Sequence, residues 1–318
     1  MNIVLLGGSG FIGFHTSKEL LRRQHRVTVL DIVAPDPELN VNFTKCDVSD
    51  GNLIEELLGR LDADVIINFV ARTDDEGAFV LDYAPNIVAL SNILQSMASI
   101  EPKRPFLIHV STQFVVGPRE SPKSDRPKNP YTLYGESKAI AEELLQGSKI
   151  TNWLIVRPSA VWGPRHPSFA TSLLPLIARR WLLVPRGPAL RSYIHVSDLA
   201  WKLAQLIDDD LAIIRGSVIY LGDPASDQKA LLDQFSRLLT GHNVRRAPYW
   251  ILAILSWPSL FPLLRRSWPL TRTRLEILSS DYLIPADSDS HFDYKPDRSL
   301  TEKSEEFISW YLELVNAP

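Results

Sequence analysis

NIVLLGGSGFIG, residues 2–13, opens the chain with a short apolar run followed at once by three spaced glycines. Residues 14–23 then have the pattern of a helix, and residues 27–30 form a second apolar run that ends at Asp31. Strand, glycine-rich turn, helix, strand and acid in this order are a variant of the dinucleotide-binding fingerprint of α/β proteins. The alternative interpretation is a purely structural βα turn.

Each glycine has a predicted role in this turn. Gly7 allows the tight turn, Gly10 lets the backbone approach a pyrophosphate, and Gly13 lets helix and strand pack closely. The free N–H groups and positive dipole end at the start of the helix attract phosphates. We therefore expect this turn, with Phe11 and Ile12, to hold a dinucleotide.

The acid at the end of the second strand indicates which dinucleotide is bound. A carboxylate at Asp31 accepts hydrogen bonds from the ribose hydroxyls of NAD and repels the 2′-phosphate of NADP. Ile32 and Val33 supply no basic partner for that phosphate. NAD is therefore the predicted cofactor, with a merely solvated Asp31 as the alternative. Asp47-Val48 can meet the adenine, although Asp is also an ordinary turn residue.

The composition is that of an ordinary globular protein. Of 318 residues, 45% are hydrophobic and 22% charged, and the net charge is −3. This balance carries no nucleic-acid footprint. Cys46, the single cysteine, excludes an internal disulfide, and the seven scattered histidines make a metal site unexpected. The chain begins directly with a strand pattern, so we expect no signal peptide and a cytoplasmic location.

Strand and helix patterns alternate through the first half of the chain. This alternation predicts an α/β fold with a doubly wound parallel sheet of the Rossmann type. The further strands are predicted at 41–46, 64–71, 106–111, 153–157 and 218–221. The further helices are predicted at 52–61, 86–100, 133–146, 169–181 and 228–239.

The candidate chemistry lies between the fifth strand and the helix that follows it. Tyr134 and Lys138 are four residues apart, so their side chains share a helix face and can meet one ligand. A nearby ammonium and an oxidised nicotinamide both favour the phenolate, so we expect the pKa of Tyr134 to move towards the working range of a base. Thr112, after Ser111 at the strand end, is expected to hydrogen-bond the same substrate oxygen. A surface Tyr–Lys pair is the alternative.

These motifs together resemble an extended short-chain dehydrogenase of the NAD-dependent epimerase/dehydratase family over about the first 200 residues. The resemblance rests on GGSGFIG at 7–13, Asp31, Asp47-Val48, NFVAR at 68–72, Asn86, STQFVVG at 111–117, YGESK at 134–138, RPSAVWGP at 157–164 and RSYIHVSDLA at 191–200.

The resemblance assigns roles to individual positions. Thr112, Tyr134 and Lys138 take the catalytic positions, and Thr112, Gln113 and Arg191 are the expected substrate contacts. Arg191 falls where epimerases hold the diphosphate of a nucleotide sugar, and its planar guanidinium suits that task; a surface salt bridge is the alternative. The expected cofactor contacts are Gly7, Gly10, Phe11, Ile12, Gly13, Asp31, Ile32, Asp47, Val48, Phe69, Val70, Ala71, Arg72, Asn86, Ser111, Tyr134 and Lys138.

Departures from the family pattern narrow the expected activity. Gln113 and Phe114 stand where sugar-nucleotide 4,6-dehydratases carry an Asp-Glu pair, and they cannot act as acid and base. Ala160 replaces an Asn that often contacts the diphosphate, which leaves the substrate open. We predict a 4-epimerase or 4-ketoreductase acting on a nucleotide sugar, most readily a UDP-sugar. The alternatives are a hydroxysteroid- or flavonoid-type dehydrogenase with an apolar substrate and an inactive nucleotide-binding scaffold.

The second half of the chain is expected to form a smaller substrate lobe interleaved with the first. Residues 1–165 and 191–215 would form the NAD-binding Rossmann domain, and 166–190 and 216–318 the substrate lobe. Residues 247–264 carry no charge, and arginine pairs flank them. They are expected to form either an apolar cap over the substrate or a contact with a membrane surface. By family resemblance, the helices at 86–100 and 133–146 are expected to form a homodimer.

Overall fold

The computed structural model covers the chain from Met1 to Pro318. It describes all residues except 75, 101–103, 119, 121–128, 261–269, 286–291, 293–297 and 317–318. All structural statements below concern the described residues.

A seven-stranded sheet forms the centre of the first lobe, and all its strand pairs are parallel. The strand order is β11-β6-β5-β4-β1-β2-β3. The order reverses beside β1, and ligands of such sheets bind at this switch point, at the carboxyl ends of the strands. The predicted Rossmann fold is confirmed. The strands are β1 (Asn2–Leu6), β2 (Arg26–Asp31), β3 (Asn42–Lys45), β4 (Val65–Asn68), β5 (Phe106–Val110), β6 (Trp153–Pro158) and β11 (Ser217–Leu221).

Helices cover both faces of this sheet. On one face, α1 (Phe11–Arg22) packs against α6 (Val196–Asp208), with Leu20 and Leu203 in the shared core. On the other face lie α2 (Gly51–Arg60), α3 (Ala84–Ser99) and α4 (Leu133–Gln146). The near-continuous apolar strands β4 and β5 suit this position, because both faces of a doubly covered sheet are buried.

The second lobe has its own apolar core, centred on Trp162, Phe235 and Phe307. Its short strands pair as β7 (Ala160–Trp162) with β10 (Tyr193–His195), β8 (Leu183–Pro185) with β13 (Arg245–Ala247), and β9 (Leu190–Arg191) with β12 (Ser226–Asp227). Its helices are α5 (Leu174–Ala178), α7 (Gln228–Thr240), α8 (Tyr249–Ser256) and two later ones, Arg272–Ser279 and Leu300–Asn316.

The helix predicted at 169–181 is largely confirmed. It consists of a π-helical turn, Phe169–Leu173, followed directly by the short α5, and Pro175 is tolerated because it lies in the first turn of α5. The apolar stretch 247–264 begins at the end of β13, continues through α8 and enters a 3₁₀ turn at Trp257–Leu260. Its remainder lies outside the described residues. No helix in the described part of the chain is long and apolar enough to cross a membrane.

The turn after β1 predicts a measurable stability difference between two glycines. A Cβ added at Gly13 would lie 2.6 Å from the backbone of Gly8, whereas one added at Gly59 in α2 would meet nothing within 4 Å. We expect Gly13→Ala to lower the free energy of unfolding by about 1–3 kcal/mol, because helix α1 must move away from the turn. Gly59→Ala is the matched control and should raise it by about 0.5–1 kcal/mol through helix propensity. Urea unfolding measures both, and equal effects would contradict the close packing of α1 on the turn.

Candidate active site

A large cavity connects the carboxyl ends of the central strands with the second lobe. It has a volume of about 830 Å³ and is lined by the glycine turn, by the segments after β4 and β5, and by the second lobe. Gly7, Gly10 and Gly13 lie at one end, and Thr112 and Tyr134 lie on the wall. A cavity of this size holds a small organic molecule.

The glycine turn has the geometry that the sequence predicts for Gly7. Its φ of +75° lies in the left-handed region, and its N–H donates to the carbonyl of Leu30 at 2.9 Å. Gly13 permits close packing, although its partner is the backbone of Gly8 and not a strand. The N-cap of α1, Gly10, offers no side chain, so the first N–H groups of α1 face the cavity without a side-chain cap. Such an end suits an anion.

The carboxylate of Asp31 closes the same turn from the next strand. Its two oxygens accept hydrogen bonds from the backbone N–H of Ser9 at 3.0 Å and of Val33 at 3.1 Å. Asp47 accepts from the backbone of Ser49 at 2.9 Å, which is its turn role, and Val48 is buried in the core. These acids lie beyond the cavity walls, as does the exposed Ile32.

The segment after β4 is divided between wall and support. Phe69 and Ala71 line the cavity, and Val70 donates its N–H to the side chain of Asn68. The side chain of Arg72 pairs with Asp74 at 2.7 Å and does not face the cavity.

Asn86 supports this segment from α3. It is fully buried, accepts from the N–H of Arg72 at 2.6 Å and donates to the carbonyl of Arg72 and to the hydroxyl of Ser137. Asn86 therefore fixes the segment after β4 against α4. The sequence predicts that Asn86 and Arg72 contact the cofactor, and in this structure both side chains make hydrogen bonds within the protein.

Tyr134 and Thr112 meet on the cavity wall. Both side chains line the cavity, and the Thr112 oxygen accepts from the N–H of Phe114. Burial raises the pKa of Tyr134 to about 12, and the neighbouring Thr112 hydroxyl only partly offsets this. In the protein alone, the pKa of Tyr134 therefore lies above its ordinary value, whereas the expected lowering also involves the charge of the nicotinamide.

The position of Lys138 explains why its ammonium does not lower the pKa of Tyr134. Its side chain is fully buried one turn along α4, and its Nζ donates to the carbonyl of Val110 at 2.7 Å. Burial lowers the pKa of Lys138 to about 8 from the ordinary 10.5, although the carboxylate of Glu142 opposes the shift. In the protein alone, the ammonium therefore holds the end of β5.

A buried ion pair that the sequence did not reveal anchors the next turn of α4. Glu142 accepts from the Nε and Nη2 atoms of Arg157 at 3.0 and 2.7 Å and from the hydroxyl of Ser111 at 2.5 Å. The Nη1 atom of Arg157 donates to the phenol of Tyr220 at 2.7 Å. One feature of the sequence does indicate the position of Glu142. It follows Lys138 by four residues, so it lies on the same helix face as Tyr134 and Lys138.

The side chain of Phe114, and not that of Gln113, reaches the cavity. Gln113 is buried within the 3₁₀ turn Gln113–Val115, and it is not among the described residues that line the cavity. Phe114 lines the cavity and packs edge-on against Tyr134 and Tyr282. The predicted substrate contact at Gln113 is therefore not supported, because the turn directs its side chain into the protein.

Arg191 lines the cavity from β9. Its guanidinium lies over the rings of Tyr193 and Tyr282, and its Nη2 donates to the carbonyl of Ile277 at 2.7 Å. Its Nε is buried and finds no hydrogen-bond partner within the described residues. Arg274 lines the same cavity and was not predicted. Two guanidiniums on one wall favour an anionic group in the ligand.

The remaining walls of the second lobe are mostly apolar. They include His166, whose pKa burial lowers to about 4, so that its ring is neutral at physiological pH. Ser168, Ser172, Tyr193 and Gln228 add polar groups to this wall. Most of the other wall residues have bulky hydrocarbon side chains: Phe169, Leu173, Leu176, Trp181, Leu182, Leu183, Leu231, Leu232, Phe235, Leu252, Leu255, Leu270, Ile277 and Leu278.

Comparisons with known proteins agree with this geometry. The sequence profile described as the NAD dependent epimerase/dehydratase family matches residues 3–222. The chain is similar to UDP-glucose 4-epimerase 4 of Oryza sativa, with 27% identity over 244 residues, 62% of this chain and 65% of that protein. It is also similar to UDP-glucose 4-epimerase of Lactobacillus helveticus, with 28% identity over 156 residues, 46% of each chain. The chain thus spans less than two thirds of the length of these relatives.

Solved structures show the same fold along almost the whole chain. UDP-glucose 4-epimerase from Bifidobacterium longum, in complex with NAD+ and UDP, superposes with a TM-score of 0.74 at 20% identity and covers 99% of both chains. UDP-glucuronic acid 4-epimerase from Bacillus cereus, in complex with UDP-glucuronic acid and NAD, gives a TM-score of 0.75 at 20% identity and covers 99% of this chain and 100% of that one.

The buried Lys138 predicts a pH-dependent stability. With a folded-state pKa of about 8 and an ordinary value of 10.5, the folded protein binds fewer protons than the unfolded chain between these pH values, so stability rises with pH there. We expect the free energy of unfolding of the wild type, minus that of Lys138→Met, to increase from pH 8 to 10.5. Lys149→Met, which changes an exposed lysine just beyond α4, is the control. Identical pH profiles for both variants would contradict a buried Lys138.

Proposed function

Because this chain belongs to the NAD-dependent epimerase/dehydratase family, we propose that it transfers hydride at a ring carbon of a nucleotide sugar. The reaction is a 4-epimerisation or a 4-ketoreduction, and Thr112, Tyr134 and Lys138 carry it. The observation on which the proposal rests is that Thr112 and Tyr134 line the same cavity as the glycine turn.

The residues of the turn fit the cofactor. Gly7 has a backbone that other residues rarely adopt, and a Cβ at Gly10 would already lie 3.4 Å from the carbonyl of Gly7. The start of α1 has no side-chain cap, so its free N–H groups suit the pyrophosphate. The carboxylate of Asp31 accepts from the N–H groups of Ser9 and Val33 and can also accept hydrogen bonds from the ribose hydroxyls. NAD, when bound, supplies the hydride acceptor and a positively charged ring.

The protein's own residues move the proton. Tyr134 takes the proton from the substrate hydroxyl as hydride leaves, or returns it to the keto oxygen as hydride arrives. Thr112 holds the same oxygen through its hydroxyl. A phenol with a pKa of about 12 is a poor base at neutral pH, so positive charge brought near Tyr134 is needed to activate it. Lys138 contributes to this charge when its ammonium turns from Val110 towards the ligand.

Arg191 and Arg274 support a substrate with a diphosphate. The buried Nε of Arg191 is a donor that a phosphate oxygen would satisfy, and Arg191 and Arg274 line the same cavity as Tyr134. Dehydration is disfavoured, since Gln113 and Phe114 supply no acid and base beside Thr112.

One observation favours a second candidate, a dehydrogenase of the hydroxysteroid or flavonoid type. The cavity wall of the second lobe is mostly hydrocarbon, although it also carries Arg191, Gln228 and Arg274, whereas a nucleoside presents many heteroatoms that need hydrogen-bond partners. An apolar substrate needs none. The same triad would serve both reactions.

A homodimer through α3 and α4 is also proposed. Val88 on α3 and Leu144 on α4 are exposed apolar side chains that such an interface would bury. Gel filtration of Val88→Glu alongside the wild type tests this, and an unchanged elution volume would contradict the dimer.

Removal of the phenol oxygen tests the catalytic assignment. We expect Tyr134→Phe to lower turnover by about 100-fold or more, because the proton acceptor is lost, while NAD binding persists. Tyr131→Phe, on the exposed segment before α4, is the matched control and should retain full activity. The measurements are steady-state turnover and calorimetric NAD binding. Unchanged turnover in Tyr134→Phe would overturn the role of Tyr134 and, with it, both enzyme proposals.

Ligand-induced thermal stabilisation distinguishes the two substrate classes. We expect UDP-, GDP- or dTDP-sugars to raise the melting temperature in the presence of NAD, because a ligand that binds only the folded state stabilises it. Arg191→Ala should abolish this shift. A shift with sterols alone would favour the second candidate, and no shift with any of these ligands would favour an inactive nucleotide-binding scaffold. For a confirmed sugar substrate, consumption of one NADH per turnover identifies a reductase, and no net consumption identifies an epimerase.

A further inference from the structure

An apolar stripe on α8 and the turn after it faces solvent. Trp250, Ile254 and Trp257 follow one another at helical spacing of four and three residues, and their exposed fractions are 64%, 60% and 65%. Leu252 and Ser256 lie on the other side of the helix and are buried. An amphipathic helix usually buries its apolar side and exposes a polar one. Helix α8 differs, because it buries one apolar side and exposes another. Large exposed apolar patches mark interaction sites.

Arginines and a further tryptophan lie near the strand that leads into α8. Arg245 and Arg246 belong to β13, which ends just before α8, and they pair with Leu183 and Val184 of β8. The guanidinium of Arg245 donates to the carbonyl of Arg180, and that of Arg179 lies over the ring of Trp181. All four arginines are exposed, and Arg246 has Asp227 at 3.7 Å. We call the set Arg179, Arg180, Trp181, Arg245, Arg246, Trp250, Ile254 and Trp257 the aromatic–basic face.

The two sequence segments that supply this face contain no acidic residue. The chain has 34 basic and 37 acidic residues, yet residues 144–197 and 234–275 contain no Asp or Glu. Each of these two segments contains seven Lys and Arg residues. The aromatic–basic face consists entirely of residues from these segments. An overall acidic protein thus presents a basic face, which fits an anionic partner.

The aromatic–basic face is continuous with the mouth of the cavity. Trp181, with 67% of its surface exposed, and Leu255, with 41%, both line the cavity. Apolar surface therefore runs from solvent into the cavity, towards the wall that carries Tyr134. A surface that only contacted a soluble partner would have no need of this continuity.

We propose that the aromatic–basic face binds the surface of an anionic lipid bilayer and places the mouth of the cavity at that surface. Trp250, Ile254 and Trp257 enter the boundary between headgroups and acyl chains, and the arginines pair with anionic headgroups. The eight-residue α8 lies on the bilayer and is too short to cross it. The lipid contact goes beyond the proposed function and stands whichever substrate the cavity takes.

Nucleic acid is the other large anionic partner, and the stripe argues against it. Tryptophan rings can stack on bases, but Ile254 and Leu255 have no such role. Both side chains gain free energy when they are buried among acyl chains.

Co-sedimentation of the full chain with vesicles tests the proposal. We expect binding to vesicles of phosphatidylcholine with about 30% phosphatidylglycerol, and loss of most binding in about 1 M NaCl, where surface charges are screened. Trp250→Glu combined with Ile254→Glu should lower the bound fraction about tenfold or more, because two apolar contacts are replaced by repelled charges. Arg245→Ser combined with Arg246→Ser should lower it by a similar factor on anionic vesicles.

The control is Ile213→Glu, which places the same charge at an exposed isoleucine away from the face, with 81% of its surface exposed. It should bind vesicles like the wild type. All variants are first shown to bind NAD and to unfold at the wild-type temperature, so that loss of vesicle binding is separated from loss of the proposed enzymatic function. No wild-type binding to the anionic vesicles would overturn the proposal, as would equal binding by the Trp250→Glu/Ile254→Glu variant. Oligonucleotide binding that needs only the arginines, or self-association that needs only the stripe, would also overturn it.

Discussion

The buried carboxylate of Glu142 is the contact on which the site depends. It joins α4 to the end of β5 through Ser111 and to β6 through Arg157, and Arg157 extends the network to Tyr220 on β11. Removing one partner from such a buried pair generally costs about 3–5 kcal/mol, because the other charge is left without compensation. The network therefore fixes the rotation of α4 about its own axis, and its position along that axis, relative to three neighbouring strands.

The positions of Tyr134 and Lys138 follow from that constraint. They lie two turns and one turn before Glu142 on the same face of α4, so anchoring Glu142 orients the other two. Asn86 supports the other side through Ser137 and the segment after β4. Tyr134 thus lies on the wall of the cavity that also contains Thr112 and the glycine turn. The turn follows β1 and α4 follows β5, so the central sheet sets the distance between them.

The second lobe differs in its chemistry from the first. Its guanidiniums suit an anionic ligand, its cavity wall is mostly hydrocarbon, and its outer surface combines exposed tryptophans with exposed arginines. Two segments that contribute to it, residues 144–197 and 234–275, contain no acidic residue. The central sheet is thereby coupled to a lobe whose chemistry differs from that of the strands it covers.

The sequence alone determined the features that arise from neighbouring residues. The glycine turn with Asp31, the alternation of strands and helices, and the Tyr134–Lys138 face of α4 are all local patterns with fixed spacing. The tertiary structure decided what depends on residues far apart in the chain. It buries the side chain of Gln113 and places that of Phe114 on the cavity wall. It also pairs Lys138 with the carbonyl of Val110 and Glu142 with Arg157. The apolar wall of the cavity is built from segments that are far apart in the chain. Periodicity says which side of an element is buried, but only packing determines which remote side chain it meets there.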